Sequence, residues 1–423
     1  MLVVFGYDAL HSVSRMTNEH EGLYDMTPSL SMERLQRLDR HFSDKYIDEG
    51  KLAGVLTLVA RRGEIAHFSA LGKMDLERDK PVEEDSIFRI YSMGKPITSV
   101  ALMMLYEQGN FRLSDPVSAY LPEWADAEVW VSGESPDFVT SAPARAITIR
   151  DLLSHQSGLT YGFFSDNPIE SLYPSMNIPA GIDETLSSFS KLMARVPLRY
   201  EPGTAWNYSI STDICGYLVE VISGHKFDDY LRQQIFDRLK MPDTGFHVTE
   251  DKIDRFAACY MTADSGLVLQ DDPAAGNYSK PPKLLSGGGG MVSTAPDYYR
   301  FTQMLLNGGI LDGERIISRK TLDLMTSNHL PGKKTISERL LPGVINFVPE
   351  GYGFGLGFGV MQDPTVAQTT GSTGQYLWGG AASTYFWVDP VEELTVVFMT
   401  QLLGGPATLR LELHALVNAA IDD

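Results

Sequence analysis

Between Ser86 and Gly109 an extended apolar run, Ile87 to Tyr91, passes into a segment whose apolar residues recur at Ile97, Val100, Ala101, Met104 and Leu105. That spacing marks one face of a helix opening at about Ser92. Leu102 and Met103 widen the face until almost the whole helix is apolar, which demands burial at the centre of a domain. Gly109 is a natural stop. The first turn carries two groups that packing does not need. Ser92 and Lys95 are three residues apart, so their side chains share a face, ~5–6 Å apart at Cβ. Pro96 falls where a missing N–H costs little.

A chain of 423 residues with 43% hydrophobic and 21% charged residues can bury a large core. Its net charge of -19 argues against nucleic acid, whose phosphates require a basic face. Two cysteines, Cys215 and Cys259, suit a reducing compartment. No run approaches the ~18 apolar residues of a membrane span, and the first residues lack a basic region and a cleavage site. The expectation is a cytoplasmic protein without a membrane partner. Asn207-Tyr208-Ser209 and Asn277-Tyr278-Ser279 then match the glycosylation pattern by coincidence. The nine histidines show no metal-ligand spacing, so no metal or other cofactor is expected.

Residues 1–30 read as a loose arm. Helices are expected at Ser31 to Glu49, Ser114 to Trp124 and, capped by Thr148, Ile149 to His155. Others are expected at Asp183 to Ala194, Thr212 to Ser223, Phe227 to Leu239, Ala295 to Asn307, Ser318 to Thr326 and Ala407 to Ile421. Ala53 to Ala60 and Ile65 to Ala70 flank Arg61-Arg62-Gly63-Glu64 as a hairpin. Further strands are expected at Phe354 to Met361, Ala382 to Val388 and Leu394 to Thr400. Residues 125–146, 160–182 and 328–350 read as loops, the aromatic 160–173 as a site wall. Gly287 to Gly290 lack the Lys-Ser/Thr of a phosphate cradle and read as a turn. Strands at both ends and helices between imply an α+β fold: one antiparallel sheet flanked by helices, plus a helical lobe. The expected division is 31–90 with 295–423 as a discontinuous α/β domain and 91–294 as a mainly helical domain, with a site in the cleft between them.

A serine hydroxyl needs an adjacent base to act as a nucleophile. An ordinary lysine, at pKa ~10.4, is almost wholly protonated at neutral pH, but burial and a helix N-terminus both disfavour its charge. Ser-x-x-Lys also occurs at Ser188 to Lys191, on a polar helix, and at Ser223 to Lys226, at a helix end. Only Ser92 opens a buried helix. Ser-x-x-Lys of β-lactamases and penicillin-binding proteins is accompanied by two later elements. Glu201-Pro202-Gly203-Thr204-Ala205-Trp206-Asn207-Tyr208-Ser209 supplies a tyrosine element, with Ile210 in place of the expected Asn. Gln375-Tyr376-Leu377-Trp378-Gly379-Gly380-Ala381 stands where Lys-Thr-Gly is expected, with Trp378 replacing the Lys.

With these elements in order, and Leu152 to Leu159 similar to the superfamily's His-Thr-Ser-Gly-Leu segment, the chain resembles the family VIII carboxylesterases. These are serine hydrolases like class C β-lactamases and penicillin-binding proteins. The resemblance spans about Leu52 to Val397 and implies the β-lactamase/transpeptidase fold. It implies that Ser92 attacks an ester and forms an acyl-enzyme, with Lys95 and Tyr208 sharing the proton transfers; which of the two acts first stays open. It implies an oxyanion hole from the backbone N–H groups of Ser92 and Ala381, and a substrate pocket involving Trp378, Gly379, Gly380, Tyr91 and His155. A lone histidine such as His155 is otherwise a structural residue at a helix end. Trp378 and Ile210 shift the preference from carboxylated β-lactams toward neutral, short-chain esters, with weak cephalosporin hydrolysis retained. The alternatives are an acyl transferase or D-amino-acid peptidase of the same chemistry, or a non-catalytic binding protein, against which Ser92, Lys95 and Tyr208 together argue. No Gly-x-Ser-x-Gly elbow is present, which disfavours an α/β-hydrolase. The oligomeric state and the physiological ester stay open.

Overall fold

The computed structural model describes residues 30–135, 137–162, 167–175, 184–341 and 348–423; the expected arm therefore lies outside them except for Leu30. Eight antiparallel strands form the central sheet. Their order is Tyr352–Phe354, Gly359–Met361, Tyr376–Gly379, Tyr385–Asp389, Leu394–Met399, Gly54–Arg61, Glu64–Asp75 and Lys80–Pro81. The hairpin near the start thus pairs with the last long strand, Leu58 opposite Val397.

Gly54–Arg61 and Leu394–Met399 are buried along their whole length because helices cover both faces. Successive strand residues point to opposite sides. Phe398 meets Phe42 of helix Met32–Phe42, ring centroids 5.1 Å apart. Phe386 of the adjoining strand meets Tyr298 of helix Ala295–Leu306 at 5.1 Å on the other face. The closing helix Thr408–Asn418 packs with the first, His414 lying against Trp387 at 4.0 Å.

The central helix runs Gly94–Glu107, with every residue from Gly94 to Leu105 buried, and packs against helix Ser211–Ser223. The preceding residues Tyr91–Met93 form a 3-10 turn, so Ser92 stands just before the α-helix. This turn is fixed from the sheet side: Tyr298 Oη donates to Met93 O at 2.9 Å, and strand Phe88–Arg89 pairs with Val292–Ser293.

Several expected elements differ. Ser114 to Trp124 forms two 3-10 turns, Val117–Ala119 and Pro122–Trp124, because Pro116 and Pro122 interrupt it. The loop 125–146 contains the hairpin Val129–Ser132 with Val139–Ser141, and the loop 160–182 contains helix Pro168–Ser175. Phe354 to Met361 is two strands joined by a tight turn at Gly357, φ 94°. The strand expected from Ala382 starts at Tyr385, since Ala381 to Ser383 turn the chain and Ser383 takes φ 66°. Phe227 to Leu239 is interrupted by a π turn at Arg232–Phe236. The mid-chain also holds strands Cys259–Ala263 and Gly266–Asp271, which form a small sheet with Leu402–Leu403. Cys215 and Cys259 are both buried free thiols. Among the described residues no helix is long and apolar enough to cross a membrane, and no cluster of side chains could hold a metal ion.

Candidate active site

Tyr91 adopts φ 43°, a left-handed conformation that costs a bulky residue about 1–3 kcal/mol. It makes the sharp bend that sets Ser92 at the mouth of the buried helix, where Tyr91 and Ser92 are the half-buried residues before a fully buried run. One turn on, Lys95 is 1% exposed. Its Nζ lies 3.1 Å from Ser92 Oγ and 2.9 Å from Tyr161 Oη, and it donates closely to Gly288 O. Tyr208 covers it, the ring centroid 4.7 Å from Nζ. Gly288 O, Tyr161 Oη and Ser92 Oγ all accept from it, so the amine is held against the serine oxygen.

The turn at Gly287–Gly290 reaches this amine because it lacks side chains. A Cβ on Gly288 would lie 2.5 Å from Asp213 Oδ2 and 2.9 Å from Tyr161 Oη. Thr98 Oγ1 donates to Gly287 O at 2.8 Å. Asp213, in the first turn of Ser211–Ser223, accepts from Gly288 N at 3.0 Å and from Ser286 Oγ. Burial pushes the Asp213 carboxyl up, opposed by Lys95, Ser286 and the Gly288 N–H. Tyr161, Asp213 and Gly288 are therefore site residues that sequence reasoning did not single out. They lie 66, 118 and 193 residues from Lys95, and no local pattern joins them to it.

Tyr208 sits in an aromatic cluster. Trp206 stacks on it at 6.2 Å, and His155 and Trp378 pack against it at 4.8 and 5.4 Å. Trp378 Nε1 donates to Tyr208 Oη at 3.2 Å. Trp378 therefore orients the phenol. His155 is 1% exposed, with Nδ1 3.2 Å from Ser209 Oγ. Burial, with Lys95 nearby, holds its imidazole well below the usual range, so it is a neutral support behind Tyr208. Ile210 is buried in the turn before Ser211–Ser223.

Strand Tyr376–Gly379 brings the third element to the same place. Gly380 lies against the Ile90 carbonyl, where an added Cβ would come within 2.5 Å, and its N–H donates to Thr384 O at 2.8 Å. Ala381 follows in an exposed turn, and its N–H forms no hydrogen bond among the described residues. The structure thus joins Ser92, Lys95, Tyr208 and Trp378 through direct contacts, with His155 packed behind Tyr208; Gly380 lies against Ile90, two residues before Ser92, and the Tyr91 ring packs on Tyr278 at 6.1 Å.

A family model described as beta-lactamase matches residues 36–420. An uncharacterized protein of Mycobacterium tuberculosis is 33% identical over 357 residues, covering 84% of this chain and 87% of its own length. Esterase EstB of Burkholderia gladioli is 30% identical over 387 residues, covering 89% and 93%. Among solved structures, EstCE1, described as a hydrolase with promiscuous acyltransferase activity, superposes with TM-score 0.76 and 27% identity, covering 92% of this chain and 97% of that one.

Proposed function

Because the chain belongs to the beta-lactamase family and is a serine hydrolase of the esterase type within it, we propose that it hydrolyses short-chain carboxylic esters through an acyl-enzyme on Ser92. The observation that carries this reading is Lys95 Nζ, buried and 3.1 Å from Ser92 Oγ. The Lys95 amine takes the hydroxyl proton as Oγ bonds to the ester carbonyl carbon. The oxyanion that forms is stabilised by the N–H groups of Ser92 and Ala381. Collapse breaks the bond to the alkoxide, which leaves with a proton from Tyr208 or Lys95. Water, deprotonated by the same pair, then attacks the acyl carbon and frees Ser92. Tyr161, Gly288 and, through Gly288, Asp213 hold the amine in place.

Substrate preference follows from Trp378. An indole offers an apolar wall and one donor, already directed at Tyr208, where a lysine would offer a cation to a β-lactam carboxylate. Neutral esters are the favoured class, and cephalosporins are slow substrates. Purified protein is assayed against p-nitrophenyl acetate, butyrate, octanoate and a cephalosporin, with Ser92→Ala as the blank. Turnover falling with chain length, and abolished in Ser92→Ala, supports the proposal. Full activity in the variant contradicts it. The likeness to EstCE1 favours one second reading, transfer of the acyl group to an alcohol. Product analysis with an added alcohol separates the two: a new ester formed faster than free acid identifies a transferase.

A further inference from the structure

At the far end of the buried helix from Ser92 lies a groove of about 870 Å³, between the segment after that helix, the start of helix Ile149–Leu153 and residues 324–333. Tyr106, on its wall, is fourteen residues along the helix from Ser92, about 20 Å at 1.5 Å per residue. Four cations line the groove, Arg112, Arg145, Arg150 and Lys333, against a single lining carboxylate, Asp151. Asp151 is taken up by Arg145, with Nη1–Oδ2 2.5 Å and Nη2–Oδ1 2.9 Å.

The other three cations form no ion pair among the described residues. Arg150 donates to His329 O at 2.9 Å and Lys333 to Asn328 O at 2.7 Å, so both are aimed by backbone carbonyls yet keep donors to spare. Two acids of the adjoining segments already have partners. Asp115 accepts from Arg112 N and Tyr120 Oη, and Asp323 pairs with Arg319. The local positive field is felt by His329, whose imidazole is held low by burial, with Arg150 and Lys333 adding to the effect. In a chain of net charge -19, three exposed cations without an ion-pair partner among the described residues give this concavity a local positive field that favours an anion.

We propose that this groove is a second binding site, distinct from the Ser92 site, for a small phosphate-bearing polyanion. The planar guanidinium groups of Arg112 and Arg150 suit the forked oxygens of phosphate, and Lys333 supplies a point charge beside them. Three cations match two or more phosphate groups better than one. The chemistry is that of a phosphate chain, whether inorganic or carried on an organic group.

The test is isothermal titration of the full-length protein, at fixed ionic strength, with inorganic tripolyphosphate and separately with ATP. Binding should saturate at one per chain. Arg112→Ala and Lys333→Ala should each weaken it about tenfold, and the double variant about a hundredfold, as charge-assisted contacts at a half-open site imply. Turnover of p-nitrophenyl acetate should be unchanged in all three, which also reports that they fold. Equal affinity for the two probes assigns the site to the phosphate chain alone, and tighter ATP binding adds a contact to the organic part. Absence of saturable binding, or affinity unmoved in the double variant, overturns the proposal. Neither result bears on the Ser92 chemistry.

Discussion

Gly288→Ala tests how closely the chain is fitted around Lys95. The added Cβ would meet Asp213 Oδ2 at 2.5 Å and Tyr161 Oη at 2.9 Å. Ordinary contact begins near 3.4 Å, so the two oxygens must retreat by about 0.9 and 0.5 Å, or the turn must move by a similar amount. The Lys95–Tyr161 hydrogen bond is 2.9 Å. Half an ångström lengthens it past the useful range of ~3.2 Å. Displacing the Gly288 carbonyl removes the other acceptor of the amine. Each buried hydrogen bond left unmade costs about 1–3 kcal/mol, and each 1.36 kcal/mol lost from the transition state is about tenfold in rate. The expected result is a 10- to 1000-fold fall in kcat on p-nitrophenyl acetate, with KM within a few-fold of the parent. The melting temperature should drop by only a few degrees, since small overpacking costs about 1–3 kcal/mol. Gly245→Ala is the control, because a Cβ there meets nothing within 4 Å and φ is not left-handed. Parental kcat in Gly288→Ala would refute the claim that this turn positions the base.

Asp213→Asn keeps an acceptor for the Gly288 N–H but discards the charge that both donors address. A kcat roughly tenfold lower, with KM unchanged and the inactivation rate by a phosphonate lowered in proportion, is expected; a melting shift alone would mean that Asp213 only supports the fold. Trp378→Lys should raise cephalosporin turnover relative to ester turnover, because it supplies the missing cation and releases Tyr208 Oη from the indole N–H. An unchanged ratio in a competition assay counts against Trp378 as the selector. His414, stacked on Trp387 and bonded to Tyr385 at 3.1 Å, is pushed down to about 3 by burial. The unfolded chain takes up that proton near pH 6.5 and the folded chain does not, so stability should fall as pH drops from 6.5 toward 3, by up to ~1.4 kcal/mol per unit. Urea melts at pH 7 and 5 should show a smaller loss in His414→Gln than in the parent; equal losses would refute the assignment.

What could be read from the chain was whatever is local. Ser92 and Lys95 lie on one turn, so a spacing of three already places them together. The outer hairpin and the last strands announce themselves as apolar runs bounded by turns. Trp378 to Ala381 is contiguous, so its order along the chain located the third element. The residues that hold the amine were silent for the opposite reason. Tyr161 stands in an aromatic stretch that reads only as a site wall, Asp213 in a helix that reads as ordinary, and Gly288 in a glycine run that reads as a turn. The packing of Gly94–Glu107 against Ser211–Ser223 brings Asp213 close, and Gly288 and Tyr161 reach Lys95 from segments outside both helices. The strands at Cys259–Ala263 and Gly266–Asp271 were hidden because the second alternates exposed with half-buried residues and the pair rests against Leu402–Leu403, far along the chain. Ile210 shows the same principle. Its apolar side chain departs from the expected amide, and Asp213, three residues later, acts on the lysine's surroundings through the Gly288 N–H.

The most direct measurement is the site of covalent capture. Incubating the protein with a serine-directed phosphonate, digesting it and sequencing the adduct by mass spectrometry should place one label per chain on Ser92. Lys95→Ala should slow labelling by several orders of magnitude while leaving the melting transition in place. A label on any other serine, or labelling of Ser92 at the parental rate without Lys95, would contradict the account.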